Sequence, residues 1–184
     1  MSGIFVETEE QRAILETVRR FNQAVVKPVA ADLDRRNDPA DCFSWEIVEK
    51  ANEAGIRTMT LSDDWGGFGA DSLTTAMVIE ELAKGDMGVS VVIAQTLKLA
   101  QVLQKATTPE QRDRYIPKFR DDPRCLLAIG ITEPETASNY FIPHSSPFHT
   151  TAEKGDGGWI VNGMKHFISN GNRAGLYFLF VQTE

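Results

Sequence analysis

Leu127-Ala128-Ile129-Gly130-Ile131-Thr132-Glu133-Pro134-Glu135-Thr136-Ala137-Ser138-Asn139 divides the chain into two kinds of pattern. The run from Leu126 to Ile131 is short, continuous and apolar, as a buried strand would be. Pro134 then interrupts it and small hydroxyl residues follow, in a turn whose backbone a ligand could approach closely. Upstream, apolar residues recur at helical spacing; downstream, they fall in short runs between Gly-rich turns. Taken alone, the stretch is a boundary strand running into an ordinary loop.

The upstream half reads as a series of capped helices. Thr8-Glu9-Glu10-Gln11 forms a capping box, and Ile14, Val18, Phe21 and Val25 follow on one helical face. Pro28 is expected to end or kink that helix. Ser44 caps a short helix carrying Trp45, Val48 and Ala51, with Gly55 at its C-terminal cap. Asp63-Asp64-Trp65-Gly66-Gly67-Phe68-Gly69 reads as a structured loop, and adjacent carboxylates on a turn diverge too much to hold a metal. Ser72 begins a helix whose apolar face is Ala76, Ile79, Leu82 and Ala83. Gly85 and Gly88 mark a break before a more apolar, largely buried helix from Val89 to Leu103. Thr108-Pro109-Glu110-Gln111 is a second capping box, and Pro117 with Asp121-Asp122-Pro123 is expected to close the helical half.

Beyond Cys125 the period changes. Residues Thr150 to Val161 read as a hairpin, and Asn162-Gly163 signals another turn across which Met164 to Ile168 should pair back. A last strand covers Leu176 to Val181. These patterns together predict an α+β fold: an all-helical domain over residues 1–124, then an incomplete antiparallel β-domain over 125–184.

Composition narrows the chemistry. A formal net charge of -7 disfavours a nucleic-acid binder, which needs a basic face to displace phosphate counterions. Cys42 and Cys125 are the only cysteines, which suits a reducing, cytoplasmic setting and gives no thiol metal site. His144 and His149 lack the third ligand of a zinc site. The charge-free apolar stretch Met87 to Leu97 falls short of a membrane span, and no signal peptide is expected.

Four motifs in order bring in a resemblance that covers essentially the whole chain. They are Asp64-Trp65-Gly66-Gly67-Phe68-Gly69, Thr108-Pro109-Glu110-Gln111 with Tyr115-Ile116-Pro117, Ile131-Thr132-Glu133-Pro134, and Val161 to Gly171. Together they resemble the front of the acyl-CoA dehydrogenase family. The resemblance implies an FAD flavoprotein that oxidises the Cα–Cβ bond of an acyl-CoA to the enoyl-CoA, with electron-transferring flavoprotein as acceptor. It aligns Ile131 and Thr132 with positions that contact the flavin ring, and Ser138 with the serine at the FAD pyrophosphate and the substrate. Phe167 and Ser169 align with the aromatic and hydroxyl positions beside the flavin.

Several departures from the family pattern carry weight. Ala137-Ser138-Asn139 replaces Gly-Ser-Asp, Phe167 replaces Trp and loses its indole N–H, and Ser169 replaces Thr. The loop from Asn139 to His149 is longer than in the common fatty-acid enzymes, which suggests a bulkier or less linear acyl group. The family's C-terminal helical domain, with the catalytic Glu, is absent from these residues. None of Glu80, Glu81, Glu133 and Glu135 qualifies as a base, so this stretch alone is expected to be inactive. The alternatives are a flavin-dependent monooxygenase on the same fold and a non-catalytic subunit of a hetero-oligomer. Surfaces left uncovered, the apolar helix among them, predict an oligomer.

Overall fold

A computed structural model describes residues 7–137 and 148–183, and the chain divides into two compact units, Met1–Cys125 and Leu126–Glu184. The first is helical throughout: α1 (Glu9–Phe21), α2 (Lys27–Asp34), α3 (Trp45–Glu53), α4 (Ser72–Ala83), α5 (Met87–Lys105) and α6 (Pro109–Asp121). Both capping boxes form. Thr8 Oγ1 accepts from Gln11 N at 3.1 Å while Gln11 Oε1 accepts from Thr8 N at 3.0 Å, and Thr108 and Gln111 repeat the exchange at the start of α6. Each box satisfies two orphan donors and stabilises its helix by about 1 kcal/mol.

Of the two prolines, Pro28 follows the interruption expected of it, whereas Pro117 does not end its helix. Ahead of Pro28 the helix widens into a π turn over Asn22–Val26 and then continues as α2, so the chain bends without stopping. Pro117 lies inside α6, which runs on to Asp121. Its missing hydrogen bond costs about 3 kcal/mol, and full burial of Ile116 and Phe119 on either side offsets this at roughly 2 kcal/mol each. Ser72 begins α4 as expected, and Asp71 before it is the cap, its side chain accepting from Thr74 N.

Leu15, Val18 and Phe21 of α1 pack with Ile47 and Ala51 of α3, Val78 and Leu82 of α4, and Ile93 and Leu97 of α5 in one core. At 19 residues and mean hydropathy 1.2, α5 has the length and composition to cross a bilayer. Ile93, Leu97, Leu99 and Ala100 are fully buried in the helical unit, but Met87 and Val91 are 67% and 46% exposed and 39% of the span is buried, so α5 is less buried than its composition suggests.

Arg57 is 0% exposed and forms no salt bridge among the described residues. Its Nη1 donates to Phe119 O and Cys125 O, both at 2.9 Å, its Nη2 to Arg120 O at 3.1 Å, and Nε and Nη2 to Asn52 Oδ1 at 3.0 and 2.7 Å. The guanidinium also stacks 4.5 Å from the Phe119 ring centroid. Burial pulls its pKa down to about 10, so it stays charged and caps the C-terminal carbonyls of α6.

The second unit carries β1 (Leu126–Gly130), β2 (Thr151–Gly155), β3 (Gly158–Asn162) and β4 (Ala174–Leu179). β2 and β3 form the expected antiparallel hairpin around Asp156-Gly157, with Gly157 at φ 85°. β1 and β4, by contrast, pair in parallel, Leu127 opposite Leu176 and Gly130 opposite Leu179. Residues 131–173 lie between these strands, a crossover long enough to bring the chain back in the same direction. Asn162-Gly163 is not a hairpin turn, and residues 163–168 form no strand. Gly163 sits at φ 150°, and a Cβ there would meet Thr150 Cα at 2.5 Å, so it serves close approach instead of chain reversal.

Replacing Arg57 with Ala removes the guanidinium donor from three carbonyls, those of Phe119 and Cys125 in buried hydrogen bonds and that of Arg120 in a part-buried one. This should lower the unfolding free energy of the helical unit by about 3 kcal/mol in denaturant titration. Arg57→Lys should recover less than half of the loss, because an ammonium cannot span the same acceptors.

Candidate functional site

Within the second unit, Glu133 gathers three separate segments. Its Oε1 accepts from Lys165 Nζ at 2.7 Å and from Thr150 N at 3.0 Å, and its Oε2 accepts from His149 N at 2.6 Å. The carboxylate and ammonium side chains are 2% and 10% exposed. Lys165 also donates to Ile131 O at 3.1 Å and lies 4.3 Å from the Phe148 ring centroid. Burial pushes the Glu133 carboxyl up, but hydrogen bonds from Lys165, Thr150 and His149 outweigh it and hold the group at about 2. An acid so weakly basic is a poor proton acceptor; it organises the site.

That junction lays residues 165–170 beside residues 127–132. Lys165 reaches Ile131 O, His166 N donates to Thr132 O at 2.8 Å, and Asn170 Nδ2 donates to Leu127 O at 3.1 Å. Asn170 is buried at φ 64°, a left-handed conformation that Asn tolerates. Between these pins Phe167 takes φ 55°, rare for a bulky residue, and leaves its ring 93% exposed. Such strain persists only when its surroundings impose it. Here the pins at Lys165, His166 and Asn170 do so. The His166 ring meets Phe167 edge-on, with centroids 5.7 Å apart.

The sequence-derived site residues thus fall into two groups. Ile131, Thr132, Phe167 and Ser169 lie on the two adjoining segments. Among the described residues the hydroxyls of Thr132 and Ser169 form no protein hydrogen bond, which leaves both free for a ligand. Ser138, Asn139 and His144, with most of the 139–149 loop, lie outside the described residues. The supporting residues Lys165, Thr150 and Asn170 were not singled out from sequence. The 32 residues separating Glu133 from Lys165 hide their pairing, although an isolated Lys in an apolar run such as Met164 to Ile168 was a usable signal.

Other carboxylates are engaged or remote. Glu81 pairs with Lys84 at 2.9 Å and Arg19 at 3.4 Å, Glu80 with Lys84 at 3.6 Å, and Glu135 approaches His149 Nε2 at 3.7 Å from an exposed position. No cluster able to hold a metal occurs among the described residues.

Because the Glu133 carboxyl is depressed in the folded state, its contribution to stability is complete above the ordinary carboxylate range. It is lost as pH falls from about 4.5 towards 2. The His149 and Thr150 amides should therefore lose hydrogen-exchange protection across that window, and Glu133→Gln should abolish the pH dependence. Lys165→Met, which strands a buried carboxylate, should cost this unit about 3 kcal/mol.

The family described as acyl-CoA dehydrogenase, N-terminal domain, matches residues 8–122. A short-chain-specific acyl-CoA dehydrogenase of Clostridium acetobutylicum is 31% identical over 179 residues, which cover 96% of this chain and 44% of that protein. Butyryl-CoA dehydrogenase from Megasphaera elsdenii has TM-score 0.78 and 27% identity, over 99% of this chain and 46% of its own. PigA with FAD and proline has TM-score 0.81 and 26% identity, over 98% of this chain and 45% of its own. The chain spans a little under half the length of these relatives. It belongs to the acyl-CoA dehydrogenase family.

Proposed function

We propose that this chain supplies one wall of the flavin site in an FAD-dependent oxidoreductase that converts an acyl-CoA thioester to its enoyl-CoA. The observation that carries this reading is an exposed Phe167 held at positive φ on a segment that His166 N ties to Thr132 O, with no hydrogen bond from the Thr132 or Ser169 hydroxyl among the described residues. Two hydroxyl donors with adjacent backbone suit the polar edge of a flavin ring, and an outward phenyl face suits its plane. Bound FAD supplies the hydride acceptor for the substrate β-carbon. The chain's own work is positioning: Ile131 and Thr132 present backbone and hydroxyl, Phe167 covers a ring face, and Ser169 donates beside it. Ser138 is assigned to the FAD pyrophosphate and the substrate by family resemblance. Removal of the α-proton falls to a carboxylate outside the residues described here.

Electron-transferring flavoprotein is the proposed acceptor, and a homo- or hetero-oligomer the proposed assembly. Trp159 and Ile160 of β3 and Met164 beyond it are about 60% exposed, an apolar surface that favours association. A second reading, a flavin enzyme acting on a substrate other than a thioester, is supported by likeness to PigA, whose structure holds proline.

Phe167→Gly separates positioning from packing. Gly adopts φ 55° without strain, so the unfolding free energy should stay the same or rise by up to ~1 kcal/mol. FAD binding, followed by quenching of flavin fluorescence, should weaken about tenfold, the loss expected of a stacking face. Ser169→Ala should weaken it less. FAD affinity unchanged in both variants would refute the assignment.

A further inference from the structure

The helical unit carries a cleft that the flavin chemistry does not use. It opens beside α1, has a volume of about 540 Å³, and is floored by the buried side chains of Val18, Ile56 and Met59. Ile14 forms one wall. Phe68 forms the other, 57% exposed and seated over Gly55, where a Cβ would meet its ring at 2.9 Å. Gly55 is itself at φ 71°, so the loop conformation and the placement of Phe68 depend on the same missing side chain. The volume falls in the range of small-molecule sites, and the lining is mostly apolar, as such sites are.

The charged groups at this cleft have one sign, and Thr17 adds a neutral hydroxyl residue. Glu10 and Asp63 line it, and no Lys, Arg or His does. Both carboxylates are exposed and neither takes part in a salt bridge among the described residues, so both are open to a cation. On the far side of Phe68 a second hollow of about 300 Å³ shares Glu10, Ile14 and Phe68 with the first. It adds Asp71, whose carboxyl hydrogen bonds from Thr74 hold below the usual range, and again no basic residue. An apolar floor, an exposed aromatic face and unpaired carboxylates are complementary to one ligand chemistry: an organic cation with an aliphatic or aromatic body.

We propose that this cleft binds a small amphipathic ammonium compound. The apolar body lies on Val18, Ile56 and Met59, and the cationic head lies between Glu10 and Asp63 near the face of Phe68. The proposal is independent of the flavin site, which lies in the other compact unit. Unpaired acidic groups around an apolar opening repel acyl anions and reward a cation.

Titration of the 184-residue chain with hexylammonium and with its neutral counterpart hexanol tests this. Hexylammonium should bind about tenfold tighter, and the difference should shrink as salt is raised. Amide shifts should centre on Val18, Ile56, Met59 and Phe68. A Glu10→Gln/Asp63→Asn double variant, both positions being exposed, should keep its thermal unfolding and lose the preference for the cation; should it fold poorly, each single variant should lose part of it. Equal binding of the two probes, a preference that survives both substitutions, or shifts centred elsewhere would overturn the proposal.

Discussion

The buried pair between Glu133 and Lys165 is the interaction on which the second unit depends. One carboxylate draws in the turn after β1, the strand start at Thr150 and the segment after β3, so three stretches of chain share one anchor. Burying two charges costs several kcal/mol, and such a pair often adds little net stability. What it adds here is register. Lys165 also grips Ile131 O, which places His166 N on Thr132 O and leaves Phe167 to adopt its strained backbone. An apolar pair of equal volume would fill the same space but would not specify which backbone groups meet.

Arg57 solves a comparable problem in the helical unit. Its planar fork satisfies carbonyls at the end of α6 and at Cys125, together with Asn52, without any carboxylate. Arg57 collects three backbone oxygens, whereas Lys165 divides its donors between one backbone oxygen, Ile131 O, and the Glu133 carboxylate. Around these points the packing is ordinary, with helix caps and apolar stripes setting the element boundaries.

Local signals were legible in the sequence and long-range ones were not. Both capping boxes, Ser44 as a cap, Gly55 and the Asp156-Gly157 hairpin followed from neighbours within a few residues. Pro28 marked a real irregularity, but Pro117 misled because burial of Ile116 and Phe119 outweighs a local break. Asn162-Gly163 misled because a glycine required for close approach to Thr150 looks the same as one required for a turn. The parallel pairing of β1 with β4 depends on partners far apart in sequence, which periodicity does not report. Of the candidate site, Ile131, Thr132, Phe167 and Ser169 came from motif resemblance. Glu133, Lys165 and Asn170 stood within the same motifs, but their pairing across 32 residues needed the fold.

The central claim is that residues 131–132 and 167–169 form one face of a flavin site. Hydrogen–deuterium exchange of the chain with and without FAD tests it most directly. The account predicts added protection confined to the amides of Ile131, Thr132 and the Phe167–Ser169 segment, with β3 unchanged. Protection elsewhere alone, or none while FAD is demonstrably bound, would contradict it.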